Sequence, residues 1–330
     1  MIISKTCYVP SAMNLSKTSK ADPDPLSALL ASLGSKVARI TRLEAGGDWA
    51  LTFPARRRLK FVAVIRGNCF FAAPSLPPRQ LRGGDIVLIG DTDYIVCSDA
   101  SVLAQDGEAL YRDQGDEVRL GDPDTALIGG GVEFEADSAE FLLHMLPILL
   151  FIDGQTLAAE TISTILKLLD RESGERRLGS DAVESRLAEL LIVEGLRFHI
   201  EAGFVGESGW LAAFADSRIT RALRQFHAQV DLPWTIERLA KEAGMSRASF
   251  SATFSRLMGM APIAYVRLWR MTLARIDLKA GHAIADVARR LGYSSQSSFG
   301  HAYRRTFGVS PGARDGQPNL RPKPSRRARS

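Results

Sequence analysis

Residues 235–262 read TIERLAKEAGMSRASFSATFSRLMGMAP, and residues 283–311 read AIADVARRLGYSSQSSFGHAYRRTFGVSP. The second stretch repeats the first with one extra residue in the turn. Ile236, Leu239, Ala240, Ala243 and Gly244 align with Ile284, Val287, Ala288, Leu291 and Gly292. Beyond the turn, Phe250, Phe254, Arg256, Met258, Gly259 and Pro262 align with Phe299, Tyr303, Arg305, Phe307, Gly308 and Pro311. Apolar residues at i, i+3 and i+4 predict a short first helix. Gly244 and Gly292 stand where that helix must stop, in a turn that commonly needs left-handed backbone. Ser246, and Ser294 or Ser295 in the second copy, are placed to cap the next helix. On that helix Phe250 and Phe254, like Phe299 and Tyr303, are four residues apart and form a buried stripe. This is the helix-turn-helix pattern written twice. The faces opposite the stripes are Arg247, Ala248, Ser251, Ala252 and Ser255 in the first unit. In the second they are Gln296, Ser297, Gly300, His301 and Arg304. Both faces are left free to meet duplex DNA, and a partnerless helical bundle accounts for one such unit more easily than for two in register.

The two units, the joining segment AYVRLWRMTLA over 264–274 and the closing GYSS…F…YRRTFGVSP resemble the AraC/XylS transcription regulators. The likeness spans residues 233–312. It implies that the joining segment is one long helix holding the units rigidly, with Leu268, Trp269, Met271 and Leu273 packing between them. It also implies that one monomer sets two recognition helices into successive major-groove segments. In that family the position of Ala252 is often Arg, so the first unit here departs from the pattern.

The distribution of charge agrees. Residues 231–330 carry 18 Lys/Arg against 6 Asp/Glu, whereas residues 1–230 carry 24 against 31. A basic end on an acidic remainder suits a DNA-binding module attached to a sensing module. At 330 residues with 45% hydrophobic content, the chain predicts two domains with full cores. Cys7, Cys69 and Cys97 share no metal-type spacing and form no disulfide framework, so reduced thiols and a cytoplasmic location are expected. No apolar run is long enough to span a bilayer, and residues 1–25 lack a signal-peptide core.

In chain order, 1–25 is expected to be a weakly ordered lead-in and 26–33 a short amphipathic helix. From residue 37 onward short β runs are expected over 37–43, 49–53, 59–65, 69–73, 86–89 and 94–97, separated by Gly-, Asn- and Pro-rich turns that include Pro77-Pro78. Many short strands at this spacing predict a barrel or jelly roll. The stretch LKFVAVIRGNCFFAAPSLPPRQLRGGDIVLIGDTDYIV over 59–96, with Gly-Asp before an apolar strand, also resembles the cupin-type sensor domain common in such regulators. The fold expected is therefore α+β in two domains: an N-terminal cupin-like barrel with flanking helices, and an all-α C-terminal domain of two helix-turn-helix units. The domain limits expected are 26–200 for the sensor with a helical packing or dimerisation region, 201–230 for a connecting segment, 231–315 for the DNA-binding domain and 316–330 for a basic tail.

No His precedes His144, so the barrel lacks the imidazole set of a metal cupin, and no metal, cofactor or catalytic residue is expected. A small organic effector is expected instead, lined by Phe61, Val64, Phe70, Val87 and Ile89. Residues 141–229 turn helical in pattern, notably over 155–169 and 181–200, with a loop over 171–179; such helices either pack on their own barrel or pair two subunits. Gly129-Gly130-Gly131 lacks the remainder of a phosphate loop and reads as a turn. Gly206-Glu207-Ser208-Gly209 misses one spacer of a nucleophile elbow. His199 and His227 have no partners at metal spacing. The function expected is a sequence-specific DNA-binding regulator with a small-molecule effector, possible homodimerisation, contact to RNA polymerase if it activates, and no membrane partner. An architectural DNA binder without effector, and a metal-free cupin enzyme fused to a DNA-binding module, are the competing classes. The basic balance further predicts that residues 231–315 alone bind DNA with steep salt dependence.

Overall fold

Alternation of inward and outward side chains builds the N-terminal half. In the computed structural model, which describes residues 26–27, 36–56, 58–74, 76–133, 146–156, 159–175, 177–202 and 210–313, eleven strands form two facing sheets. Strands β1 (Lys36–Ala45), β2 (Ala50–Phe53), β3 (Leu59–Arg66), β4 (Asn68–Ala73), β6 (Ile86–Ile89) and β7 (Tyr94–Cys97) fall on the six expected runs. The others are β5 (Leu76–Arg82), β8 (Gln105–Asp106), β9 (Glu117–Leu120), β10 (Thr125–Glu133) and β11 (Leu149–Ile152). One sheet runs β11-β6-β3-β10-β1-β9 and the other β5-β4-β7-β2-β8. The expected lead-in over 1–25, nearly all of the helix over 26–33, His144 and the tail over 316–330 lie outside the described residues.

Three expectations fail here, each for a physical reason. Pro77-Pro78 is not a turn but part of β5, an edge strand, where a missing N–H costs no ladder bond. Gly129-Gly130-Gly131 is not a turn but the middle of β10, pinned between β1 and β3 in antiparallel register, with Gly130 opposite Ile40 on one side and Phe61 on the other. Residues 149–152 are not helical: the short apolar run pairs with β6 as a strand, an ambiguity that periodicity alone does not resolve.

On β3 the side chains of Val62 and Val64 enter the space between the sheets, where they meet Leu43, Leu51, Phe71, Val87, Val96 and Leu127. Leu59, Phe61 and Ala63 point the other way. They are covered by α2 (Glu160–Glu175) and α3 (Ser180–Glu201), through Ile162, Ile165, Leu169, Leu191 and Leu196. Helix α2 runs into the stretch expected as a loop over 171–179. Helix α1 (Gly107–Gln114), which sequence did not announce, lies between β8 and β9 and is capped by the Asp106 carboxylate on the Ala109 N–H.

The C-terminal half follows: α4 (Trp210–Ala215), α5 (Ser217–Ala228), α6 (Ile236–Ala243), α7 (Arg247–Met258), α8 (Pro262–Lys279), α9 (Ile284–Arg290) and α10 (Gln296–Phe307). Gly244 and Gly292 both adopt positive φ, 65° and 76°, which is the left-handed stop the repeat predicts. At Gly292 a Cβ would come within 2.0 Å of the Asp231 carbonyl oxygen, so glycine is required there for space as well as for conformation.

The core of the first unit is continuous with the helices before it. Phe250, Phe254 and Leu239 pack with Phe226 and Ile219 of α5 and Leu211 of α4, in the same cluster as α2, α3 and the outer face of the sheet. The second unit has its own small core of Met271, Ala274, Val287, Ala288, Leu291, Phe299 and Tyr303. Helix α8 serves both: Trp269 is buried in the first cluster, Met271 in the second, and Leu273 is half-buried against each. Leu268 is half-buried and joins neither cluster.

Candidate nucleic-acid interface and ligand cavity

Each recognition-helix candidate begins at a capped serine. The Ser246 hydroxyl accepts from the Ser249 N–H at 3.2 Å at the start of α7. Of Ser294 and Ser295, it is Ser295 that accepts from the Ser298 N–H, at 3.1 Å, at the start of α10. With Phe250 and Phe254 buried beneath α7, its outer face presents Arg247, Ala248 and Ala252 to solvent, with Ser251 and Ser255 half-exposed. Arg247 pairs with Glu237 of α6 at 2.8 Å, but both side chains are more than half exposed, so the pair is weak and a phosphate can displace it.

Helix α10 exposes Gln296, Ser297, His301 and Arg304. Gly300, expected on the same face, is buried; a Cβ there would meet only the Arg304 guanidinium, at 4.0 Å. It lies under the Arg304 side chain and offers no group of its own.

The rigidity of the arrangement comes from α8 and α5. Arg270 on α8 donates to the Val230 carbonyl at 2.9 and 2.7 Å and to the Leu232 carbonyl at 2.6 Å, which fixes the segment leading into α6. Arg221 on α5 donates to the Glu242 and Ala243 carbonyls, both at 2.7 Å, closing the C-terminal end of α6. His227, also on α5, is half-buried, stacks on Trp269 with ring centroids 4.2 Å apart, and sits 2.9 Å from the Tyr265 hydroxyl. Burial of its ring pushes its pKa down to about 3, so the half-buried His227 imidazole is a neutral packing element.

Between the two sheets lies a cavity of about 680 Å³. Its walls are Leu43, Leu51, Val62, Val96 and Leu127, with Phe53, Tyr94 and Tyr111 at the side of α1 and Arg56, Arg58, Lys60 and Glu108 at one end. The glycine run makes the space. Along β10, Leu127 points inward and Ile128 outward, so by the period of two Gly129 and Gly131 face inward and leave empty the places where side chains would fill the sandwich.

None of the five residues expected to line the cavity does so. Phe61 faces the helices and is fully buried among them. Val64, Val87 and Ile89 do point between the sheets but are fully buried in the closed, packed part. Phe70 alternates with Cys69 and Phe71, which point inward, and is therefore on the outer side of its sheet. Among the described residues no group of three His, Cys, Asp or Glu is arranged to hold a metal ion, and no helix is long and apolar enough to cross a membrane.

Family models match this architecture in two parts, "Cupin" over residues 24–201 and "Helix-turn-helix domain" over 239–314. The chain is 34% identical over 294 residues to a putative AraC-like transcription regulator of Streptomyces lividans, covering 88% of this chain and 97% of that relative. The chain belongs to the AraC-like transcription regulators. The HTH-type transcriptional regulator AlkR of Acinetobacter baylyi is 28% identical, over 87% of this chain and 97% of its own length. The crystal structure of ToxT from Vibrio cholerae O395 overlaps 85% of this chain and 96% of its own, at 12% identity with a TM-score of 0.34.

What the sequence concealed in this AraC-like regulator is the cation cluster of the cavity. The signal was present in Arg56-Arg57-Arg58-Leu59-Lys60. Once Leu59 and Phe61 are outward on β3, Lys60 must be inward. Lys60 is only 6% exposed and donates to the Pro54 carbonyl at 2.7 Å, with its ammonium 4.9 Å from the Tyr94 ring centroid. Burial, with Arg58 and Arg56 adding to it against Glu108 and Asp91, lowers its pKa to about 8. Glu108 is held below the usual carboxylate range, chiefly by its hydrogen bonds from Arg56.

Proposed function

We propose that this AraC-like regulator reads duplex DNA through α7 and α10 and is controlled by a small organic effector in the cavity between its sheets. The observation that carries the DNA half is the pair of serine-capped helices held on one helix, α8, each with its aromatic stripe buried and its opposite face solvent-exposed. Arg247 and Arg305 contact phosphate and set the register, while base edges meet Gln296, Ser297, His301 and Arg304. The DNA-binding unit includes α5, because its Phe226 and His227 lie in the core of the first helix-turn-helix. Its relatives are transcription regulators, and its role is regulatory, without catalysis. The protein acts in the cytoplasm. Leu168, Val183 and Leu190 remain exposed on α2 and α3 and favour pairing of two copies there, and an activating role would add RNA polymerase as a partner.

The test is binding of the full chain to duplexes recovered by mapping its sites across the genome, against random duplex, over a salt series. Specific binding with log K falling steeply as log salt rises is expected. Equal affinity for specific and random duplex would leave an architectural binder.

A further inference from the structure

Two units joined by one helix share a line of contact, and each can still roll about that line. A second contact off the axis of α8 removes this freedom, and residues 230–232, between α5 and α6, supply it. Val230 is half-buried and packs against both the cluster of the first unit and that of the second. Arg270 of α8 binds the Val230 carbonyl through Nε and Nη2 and the Leu232 carbonyl through Nη2. Between those two, the Asp231 carbonyl lies so close to Gly292, in the turn between α9 and α10, that no Cβ fits there. The Arg270 guanidinium also lies 5.9 Å from the ring centroid of Tyr293, the next residue of that turn.

The joint reaches into both cores. The Tyr293 ring meets Phe299, fully buried on α10, edge-on at 5.5 Å. On the other side the Gln229 carbonyl accepts from Trp234 Nε1 at 2.8 Å, and the Trp234 ring meets Phe226 edge-on in the core of the first unit. One side chain thus ties the lead-in of α6 to the footing of α10. A planar guanidinium fork holds two carbonyls and an aromatic ring in one geometry, which a flexible ammonium does not.

We propose that Arg270 is a positioning residue that sets the number of base pairs between the DNA segments read by α7 and α10, by locking residues 230–232 against Gly292 and Tyr293. This rests on the reading that both helices dock on one duplex. One inserted base pair moves a segment by about 3.4 Å along the duplex and turns it by about 35°. Locked units cannot follow that change, whereas units free to roll about α8 can follow the turn.

The experiment is binding of the full chain to one mapped site and to versions with a single base pair inserted or removed between the two segments. The wild type should prefer the native spacing by about tenfold or more, the cost of at least one lost base contact. Arg270→Met keeps the apolar stem, loses the fork, and should reduce that preference several-fold. Tyr293→Leu should reduce it as well, and Tyr293→Phe, which keeps the ring, should retain it. Preferences at single bases under α10 should not change, because its reading side chains are untouched. Circular dichroism checks folding; if Arg270→Met does not fold, the two Tyr293 variants decide.

A variant at Arg270 that keeps the wild-type preference, or loses affinity by one factor at every spacing, overturns the proposal and leaves DNA reading by both helices intact. The same holds if Arg270→Met is unfolded and Tyr293→Leu keeps the preference. A wild type indifferent to spacing overturns the proposal together with the reading that both helices dock on one duplex.

Discussion

The two helix-turn-helix units share a sequence pattern but not a mechanical setting. The first is built into the rest of the chain: α6 has its last carbonyls bound by Arg221 of α5, and α7 packs in the same apolar cluster as α4 and α5. The second has a separate core of seven buried residues and reaches the rest mainly through α8. Their outer faces differ in the opposite sense, small side chains on α7 and long polar ones on α10. The unit held most firmly offers the least for reading bases, and the unit held through one helix offers the most. A repeat thus divides into an anchor and a reader through a few substitutions on each face, without a change of fold.

The most drastic way to break this contrast is to cut the anchor from its support. A fragment of residues 210–313 should fold, whereas 231–313 should not, since it lacks Ile219, Ala222, Leu223 and Phe226, all fully buried or nearly so. Removing a single buried Phe typically costs about 3–5 kcal/mol, against about 5–15 kcal/mol for a whole domain. The expectation from charge alone, that 231–315 binds DNA by itself, omits this packing. Urea unfolding of both fragments decides: equal midpoints would show that α5 is a mere connector.

His227 tests the same support through pH. Its folded pKa, about 3, lies below the ordinary value of 6.5, so between those values the unfolded chain takes up a proton that the folded chain refuses. The stability this neutral imidazole permits is complete above pH 6.5 and is lost as pH falls toward 3. His227→Phe should cost about 1 kcal/mol at pH 7 through the lost Tyr265 hydrogen bond, and should match or exceed the wild type by pH 4.5. Hydrogen exchange should place the acid loss in α5, α6 and α7 before α10. Parallel pH profiles for the two proteins would refute it.

The helical repeat was legible because each element carries its own punctuation: serine caps, glycine stops and aromatics at helical spacing act within a dozen residues. The sheets were half legible. Six strands announced themselves by alternation, but Gly129-Gly130-Gly131 has no strand signal of its own and is held extended only by β1 and β3. The five apolar residues expected around an effector lie off the cavity wall, because apolar content alone does not assign a face. Phe61 is one residue from Lys60 and Val62, which line the cavity, and that single step turns it to the helices. Gly300 was misplaced because exposure of a helix face does not expose a residue with no side chain under a long arginine.

The reader role itself is tested on DNA. Single base changes under α10 should cost about 1–3 kcal/mol each and most under α7 less, apart from any read by Arg247. Alanine and serine cannot make the two-bond contacts that Gln and Arg make to purine edges. His301→Ala should relax specificity at its own base pairs, and Ala252→Arg should add affinity with little gain in specificity. A complete set of single-base variants of one mapped site measures this, and a more sharply specified half under α7 would reverse the assignment.

The smallest expected effect concerns the first helix of each unit. Helix α6 starts at Thr235, whose hydroxyl accepts from the Arg238 N–H at 3.2 Å. Helix α9 starts at Ala283, which has extended backbone, φ −66° and ψ 138°, and no side-chain cap. The Ala283 geometry already suits a capping serine. Thr235→Ala should therefore lose about 1 kcal/mol and Ala283→Ser gain up to about 1 kcal/mol. The two changes should be felt differently, because the units have separate cores. The loss at Thr235 should be shared with α5 and the larger cluster, whereas the gain at Ala283 should appear as slower exchange in α9 and α10 alone. Exchange rates that shift equally across both units in either variant would mean that the two units unfold as one body, and the anchor and the reader would then differ only in their outer faces.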